Sequence, residues 1–510
     1  MSDPLVLAVD QGTSGTTCLL VTPDGSVVDR AHAEVGVSYP RDGWVEQDAA
    51  ALWESVQRAT AEVLRGAPRD AVALGITNQR ETLVVFDRRT LEPLAPAVVW
   101  QCRRSAAICA EHRERGEEDE VHRRTGLLLD PYFTATKLEW LLRADPALRE
   151  RGERGEVCAG TVDTWLLARL TNGRVIATDA SNASRTLLYD LDRHDFDPEL
   201  CALFGVPRAM LPEVRDTAGV FGETDVDTLS GLRIPVAGIA GDQQSALFGQ
   251  ACVREGMSKN TYGTGSFVLT NVGTDTPQAA LGILATVAWR LAGVDTYALE
   301  GSIFVTGAAL RWLVEVGLLD EPAQADELFA SVADTAGCFF VPALSGLGAP
   351  WWDPDARGAF LGISGGTTRA HLVRAVVESM AYRTRDVVEA MERSSGTPFT
   401  ELRVDGGASR LHGLCQFQAD LLGIPVTRSA SVEATALGAG LLAALGVGLI
   451  GGTSDVERSW SAGRRFEPST PGTRPEPGYA AWLAAVERVR SGGEERKRPE
   501  SKLSGLSGRE

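Results

Sequence analysis

The sequence lacks closely spaced pairs of cysteines. Its eight cysteines are scattered over 510 residues, with no C-x-x-C pair and no spacing typical of metal ligands. In a chain of this length we expect reduced, buried thiols in a cytoplasmic protein. The first residues, MSDPLVLAVD, also lack a basic segment, and their apolar run breaks at Asp10, so no signal peptide is predicted.

The sequence also has fewer positively than negatively charged residues. The chain has 50 Lys and Arg residues against 68 Asp and Glu, a net charge of −18. Because nucleic-acid binding depends on neutralising phosphates with Lys and Arg, this balance argues against a nucleic-acid partner. It does not exclude ATP, which is bound by local amides, a few cations and a metal ion.

Charged residues are absent from one long segment, residues 434–452 (ATALGAGLLAALGVGLIGG). Its 19 residues approach the length of a membrane span. Six of them are glycine, however, and four of the six fall at the end of the segment, where a helix should stop. We therefore predict a buried helix of about 12 residues with a glycine-rich exit, and no integral membrane segment.

The length exceeds what one hydrophobic core supports, so two large domains are expected. Three strands are predicted near the N-terminus, from Leu5 to Val37, followed by alternating helices and strands, which indicates an α/β fold with an antiparallel edge. The pattern restarts around residues 236–250. We predict domains at 1–248 and 249–489, and a disordered, charged tail at 490–510.

The segment DQGTSGTTC, residues 10–18, lies between two apolar runs. A carboxylate that closes a strand, followed by a Gly-, Thr- and Ser-rich turn, can hold phosphate through backbone N–H groups and hydroxyls and bind magnesium through Asp10. Such turns are also common in plain hairpins. A near copy, NTYGTGSF at 260–267, suggests a duplicated fold that grips a nucleotide between its halves.

Six further residues, in three groups, suit a kinase for a small alcohol. Asp242 follows a strand in GIAGDQQSALFGQ, where it could be a helix N-cap or could take a proton from a hydroxyl. Arg80 and Glu81 (GITNQRETL) could be a solvated turn or could hydrogen-bond a polyol. The aromatic residues Trp100, Tyr132 and Phe267 could be core residues or walls of a ligand pocket.

Together these segments closely resemble the FGGY family of carbohydrate kinases, and several are specific to its glycerol kinases. The matching segments include GITNQRET (75–82), VVWQCRR (98–104), NASRTLLY (182–189), GIAGDQQSALFGQ (238–250), GLGAPWWDPDARG (346–358) and RVDGGAS (403–409). They extend from residue 5 to about residue 485.

The resemblance implies a role for each matching residue. Asp242 would be the general base, and Asp10 and Asp242 would lie near Mg²⁺. The residues implied to bind glycerol are Arg80, Glu81, Trp100, Tyr132, Asp242, Gln243 and Phe267. Those implied to bind ATP are Thr13, Ser14, Gly15, Gly263, Thr264, Gly307, Arg311, Gly407, Ala408 and His412.

The resemblance also implies two ribonuclease-H-like, actin-like domains with the active site in the cleft between them. The implied reaction is ATP-dependent phosphorylation of glycerol, by a homo-oligomer (dimer or tetramer). The chain departs from the family pattern at Thr17, Arg311 and His412, where Arg, Gln and Asn are usual. The Thr17 departure keeps open a kinase for another polyol or sugar (erythritol, dihydroxyacetone or a pentulose). An alternative of a different class is an ATP switch of the actin or chaperone type.

Overall fold

The structure is a computed structural model that describes residues 4–65, 71–280 and 282–491. Two large sheets dominate it. In spatial order the first sheet contains Ala218–Glu223, Pro235–Gly241, Ala71–Asn78, Leu5–Gln11, Gly15–Val21 and Val27–Glu34. The second contains Ala462–Phe466, Val426–Ser429, Glu401–Gly406, Met257–Tyr262, Ser266–Asn271, Val294–Ile303 and Leu284–Leu291.

The remaining strands form small pairs, and helices pack around the sheets. The pairs are Glu46–Gln47 with Ala97–Val98, Val84–Asp87 with Val157–Gly160, Ala177–Asp179 with Glu213–Arg215, Tyr189–Asp190 with Asp195–Phe196, and Phe339–Val341 with Ala359–Leu361. The α-helices are Ala49–Val63, Ala106–Glu114, Glu118–Thr125, Thr134–Ala144, Pro146–Glu153, Val162–Leu170, Ala180–Ala183, Pro198–Leu203, Asp242–Gly249, Gly307–Glu315, Gln324–Ala330, Arg369–Ser395, His412–Leu422, Ala434–Gly446, Thr453–Ser459 and Glu476–Glu487. Short 3₁₀ helices lie at Arg208–Met210 and Gly407–Arg410.

The two sheets repeat one another. In each, a central strand pairs antiparallel with the next strand in a hairpin, and that strand pairs antiparallel with a third. On its other side the central strand has two parallel neighbours and an antiparallel edge strand. Leu284–Leu291 is an additional strand on the second sheet. The predicted duplication is thereby confirmed, with Leu5–Gln11 and Met257–Tyr262 as the equivalent central strands.

The predicted restart near residue 236 is wrong in detail. Strand Pro235–Gly241 pairs with Ala71–Asn78 and therefore belongs to the first sheet, and the second sheet begins at Met257. An apolar strand followed by a helix looks the same in sequence whether it ends one repeat or begins the next. The domain boundary near residue 248 stays a prediction, and of the predicted tail all but residues 490 and 491 lies outside the described residues.

Helix Ala434–Gly446 accounts for the long uncharged segment. It lies against five strands of the first sheet and against helix Asp242–Gly249, and most of its residues are buried. In the described part of the chain no helix is long and apolar enough to cross a membrane. All eight cysteines are buried and none forms a disulfide, as predicted.

The glycines of this segment permit close helix packing. A Cβ atom placed on Gly438 would lie 1.9 Å from the carbonyl oxygen of Ser245, in the neighbouring helix. A Cβ on Gly249 would lie 2.1 Å from the carbonyl oxygen of Ala434. Ser245 Oγ also donates to the carbonyl of Thr435 at 2.7 Å, which fixes the two helices to one another.

We expect Gly438→Ala to lower the free energy of unfolding by about 1–3 kcal/mol, because an overpacked contact must be relieved by backbone movement. Thermal and chemical denaturation measure the effect. Gly36→Ala is the matched control, since a Cβ there meets no atom of the described residues within 4 Å. Equal stability of the two variants would contradict the packing account.

Candidate active site

Arg80 and Glu81 follow strand Ala71–Asn78 at its carboxyl end, where strand Pro235–Gly241 also ends, just before Asp242. Both side chains are buried, which excludes the solvated turn. Arg80 Nε lies 3.1 Å from Asp242 Oδ1 and 3.8 Å from Glu81 Oε1. Glu81 has a φ of 60°, in the left-handed region that non-glycine residues rarely adopt. The three charged groups therefore form one cluster.

Asp242 is the first residue of its helix, and Gly241 is the cap residue, so the N-cap interpretation is wrong by one position. Asp242 Oδ1 accepts a hydrogen bond from Gln243 N at 2.7 Å. Its side chain is mostly buried but remains 28% exposed, whereas that of Arg80 is only 2% exposed. The carboxylate thus reaches the surface of the cluster, where an incoming ligand can meet it.

The aromatic residues line the same cluster. The rings of Trp100 and Tyr132 meet edge to face with centroids 5.7 Å apart. Trp100 Nε1 donates to Thr13 Oγ1 at 2.9 Å, which ties this aromatic wall to the first glycine-rich turn. We call Arg80, Glu81, Trp100, Tyr132 and Asp242 the acceptor cluster.

Phe267 lies on the second sheet, where it pairs with Ser302 on strand Val294–Ile303. Directly paired residues share a face of a sheet, as do residues two apart, so Phe267, Ser302 and Glu300 share one face. Glu300 contacts Arg80, with Oε2 2.5 Å from Nη1. The face that carries Phe267 is therefore turned toward the acceptor cluster.

Burial and neighbouring charges together shift the pKa values of Glu300 and Asp242 in opposite directions. Burial would raise the pKa of Glu300, but Arg185 and Arg80 outweigh it and lower the pKa to about 2. For Asp242 burial prevails over the attraction of Arg80, and its pKa is raised. Glu300 is thus a permanent anion, and Asp242 is a stronger base than an exposed aspartate.

Asp10 lies at the end of strand Leu5–Gln11. Burial, followed by the charges of Asp242 and Glu433, raises its pKa to about 8. Thr77 is the residue in register with Asp10 on the neighbouring parallel strand. Its buried hydroxyl has no hydrogen-bond partner among the described residues. Two mutually repelling carboxylates beside an unpaired hydroxyl suit a divalent cation. In the described ranges no cluster of three or more His, Cys, Asp or Glu side chains forms a complete metal site.

The first turn contains Thr13, Ser14 and Gly15. Gly12 N donates to the carbonyl of Gly15 at 2.9 Å, and Val35 N donates to that of Ser14 at 3.0 Å. These bonds hold the turn between two strands. Thr17 Oγ1 lies 3.0 Å from His32 Nδ1, so a neutral hydroxyl and an imidazole stand where family members usually have Arg.

The second turn contains Gly263 and Thr264, and both residues are exposed. Gly307 N donates to the carbonyl of Gly263 at 3.0 Å, and Arg311 Nη2 lies 3.3 Å from Thr264 Oγ1. A Cβ on Gly307 would lie 2.6 Å from the Gly263 carbonyl oxygen, so only glycine fits there. Helix Gly307–Glu315 therefore begins directly beside this turn.

Gly407 and Ala408 follow strand Glu401–Gly406, which is the parallel neighbour of the strand that leads into the second turn. His412 begins the next helix, with Arg464 Nη1 3.1 Å from its Nδ1. Within the described residues no hydrogen bond joins His412 to Arg311. The predicted nucleotide residues of the second half thus share one edge of the second sheet. Gly307 and Arg311 are hydrogen-bonded to the turn at Gly263 and Thr264, whereas His412 bonds to Arg464 instead.

Four contributors were not identified as site residues from the sequence: Glu300, Arg185, Lys137 and Lys259. Lys137 Nζ donates to the carbonyls of Glu81 at 2.9 Å and Tyr132 at 2.5 Å, and burial lowers its pKa to about 7. Lys259 Nζ donates to Gln243 Oε1 and, at 3.0 Å, to Thr261 Oγ1. Glu300, Arg185 and Lys259 are each the single charged residue of a short uncharged segment, a sign that the sequence does offer, whereas Lys137 lies two residues before Glu139.

The comparisons agree with this geometry. Residues 5–249 match the FGGY family of carbohydrate kinases, N-terminal domain, and residues 258–447 match the family's C-terminal domain. Glycerol kinase 2 of Thermotoga maritima is 49% identical over 487 residues, which cover 95% of this chain and 98% of the relative. Glycerol kinase of Thermus brockianus is 51% identical over 488 residues, with coverage of 95% and 98%.

A solved structure shares the fold. The crystal structure of Plasmodium falciparum glycerol kinase with ADP matches with a TM-score of 0.91 and 31% sequence identity, over 96% of this chain and 98% of that chain. With the two family matches, this confirms the predicted α/β fold of two ribonuclease-H-like halves.

Proposed function

The chain belongs to the FGGY family of carbohydrate kinases, and we propose that it is a glycerol kinase that transfers the terminal phosphoryl group of ATP to glycerol. The product is sn-glycerol 3-phosphate. The acceptor cluster is the observation that carries the proposal. It offers a guanidinium donor, two carboxylate acceptors and an apolar wall within one small region, which suits the hydroxyls and the carbon chain of a short polyol.

Asp242 acts as the general base. It accepts the proton of the glycerol hydroxyl as that oxygen bonds to the γ-phosphorus of ATP. The bond from the γ-phosphorus to the bridging oxygen breaks, and ADP leaves with that electron pair. Arg80 orients the Asp242 carboxylate, since its Nε lies 3.1 Å from Asp242 Oδ1. Burial raises the pKa of Asp242 and so makes its carboxylate more basic.

Asp10 and Asp242 would hold Mg²⁺, which when bound neutralises charge on the phosphates. Thr13, Ser14 and Gly15 would meet the phosphates from the first half, and Gly263 and Thr264 from the second. Gly307, Arg311, Gly407, Ala408 and His412 would contact the adenosine. Gln243, held by Lys259, would support the glycerol side beside Asp242.

An acceptor panel tests the proposal. With Mg-ATP, we expect kcat/KM for glycerol to exceed that for erythritol, dihydroxyacetone or a pentulose by about a hundredfold or more, because an ill-fitting hydroxyl leaves buried polar groups unpaired. Preference for another acceptor would favour the rival polyol or sugar kinase. ATP hydrolysis with no phosphorylated acceptor would favour the ATP switch.

Eight buried, unpaired thiols support a reducing compartment, and we place the protein in the cytoplasm. Assembly as a homo-oligomer, dimer or tetramer, stays a prediction from the resemblance. Size-exclusion chromatography with light scattering measures it.

A further inference from the structure

We propose that Glu300 and Arg185 are positioning residues, a buried ion pair through which the second half of the molecule sets the affinity for the acceptor alcohol. The proposal rests on the proposed function, since it concerns the acceptor cluster. Neither residue belongs to that cluster. Each acts through cluster residues that it holds in place.

Glu300 lies on strand Val294–Ile303 of the second sheet and is completely buried. Its Oε2 accepts from Arg80 Nη1 at 2.5 Å, and its Oε1 accepts from Arg80 Nη2 at 3.1 Å. This is a two-pronged carboxylate–guanidinium contact, the geometry that fixes an arginine most firmly. Arg80 therefore takes its orientation from a residue 220 positions away.

Arg185 extends the contact to the other side of the cluster. Its Nη2 donates to Glu300 Oε1 at 3.0 Å, and its Nε donates to Glu81 Oε1 at 2.6 Å. Its guanidinium also lies 5.4 Å from the ring centre of Phe133 and 5.9 Å from that of Tyr132. One continuous chain of ion pairs thus runs from Asp242 through Arg80, Glu300 and Arg185 to Glu81.

The balance of charge makes Glu300 the central member. Arg80 and Arg185 are two buried guanidiniums, and Glu300 is the carboxylate that both of them contact through hydrogen bonds. Burying two cations without a shared anion is costly, because the lost hydration is not replaced. Without the charge of Glu300, Arg80 and Arg185 would shift toward Asp242 and Glu81, the carboxylates that the acceptor must reach.

Among the cluster residues and this ion pair, Glu300 alone comes from the second sheet. The hydrogen-bonding residues of the acceptor cluster come from the first half of the chain. Their alignment therefore depends on how the second sheet sits against them. Movement of that sheet would therefore be transmitted through Glu300 to the guanidiniums of Arg80 and Arg185, and so to glycerol affinity.

Glu300→Gln tests this, because glutamine preserves shape and removes charge. We expect the dissociation constant for glycerol, measured calorimetrically without nucleotide, and the KM for glycerol to rise by about ten- to a hundredfold. The KM for ATP should stay within about twofold, and Glu300→Asp should recover part of the loss. If Glu300 had a merely structural role, its substitution would change the KM values for glycerol and ATP to a similar extent.

Asp163→Asn is the matched control. Asp163 is also a buried carboxylate, but its partners are the hydroxyls of Thr161 and Thr178. We expect it to change stability and to leave both KM values near those of the wild type. If Glu300→Gln does not fold, Arg185→Lys tests the same link, since a single ammonium cannot reproduce both hydrogen bonds of Arg185.

Unchanged glycerol affinity in folded Glu300→Gln, or equal weakening of glycerol and ATP, would overturn the inference. Failure of the wild-type protein to phosphorylate glycerol would instead overturn the proposed function. The two failures are distinguishable because the second is seen before any variant is made.

Discussion

Asp242→Asn is expected to lower turnover by about 10²–10⁴-fold, the usual contribution of a general base. Asparagine has nearly the shape of aspartate, so the helix that begins at Asp242 should remain intact. The amide cannot accept the glycerol proton, however, and its neutral oxygen is a weaker ligand than a carboxylate for a metal ion shared with Asp10. ATP binding, which we place mostly on the second half, should persist. Single-turnover kinetics and ADP titration measure the two effects separately.

The control is the same substitution at Asp48, whose carboxylate caps a helix by accepting from Ala50 N at 2.8 Å. Asparagine caps helices as well as aspartate does, so Asp48→Asn should retain near-normal activity. If Asp242→Asn kept more than about a tenth of wild-type turnover, well above the range for loss of a general base, the assignment of Asp242 would be wrong.

Arg80→Ala should weaken glycerol binding by about a hundredfold or more and ATP binding far less, since hydrogen bonds to charged groups contribute about 1.5–3 kcal/mol each. The variant loses Nε, the Arg80 donor that has no hydrogen-bond partner among the described residues and lies beside Asp242. It also leaves Glu300 and Asp242 without their shared guanidinium, which costs about 3–5 kcal/mol of stability for a buried pair. Isothermal titration with each substrate measures the difference.

Arg104→Ala provides the comparison. Arg104 is similarly buried, pairs with Glu46 at 2.7 Å and lies 4.0 Å from the ring centre of Trp44. We expect it to lower the melting temperature and to leave both affinities unchanged. If Arg80→Ala weakened glycerol and ATP equally, Arg80 would be a structural residue and the acceptor cluster would lose its main donor.

Much of the fold follows from local patterns in the sequence. The spacing of apolar residues predicts a helix over 368–392, and the structure has Arg369–Ser395, followed by Gly396 with a φ of 71°. The two glycine-rich turns predict two equivalent hairpins, which the sheets contain. The membership of strand Pro235–Gly241 was not predictable, because it depends on pairing with Ala71–Asn78, about 160 residues earlier, and no local pattern records that pairing.

The acceptor residues were predictable because short motifs carry them. Glu300 was not, since TYALEGSI shows only a lone carboxylate within an apolar strand. Its partners, Arg80 and Arg185, lie 220 and 115 positions away, and only the folded chain brings the three side chains together. The partners in a buried ion pair are set by such long-range contacts. A sequence pattern can therefore mark a charged residue as unusual, but it cannot show which residue it pairs with.

The most direct test of the whole account is identification of the product formed by the wild-type protein from glycerol and Mg-ATP. Phosphorus NMR and a stereospecific glycerol 3-phosphate assay should detect sn-glycerol 3-phosphate and ADP in equal amounts. ADP formed without glycerol 3-phosphate, or no reaction with glycerol while another polyol is phosphorylated, would contradict it.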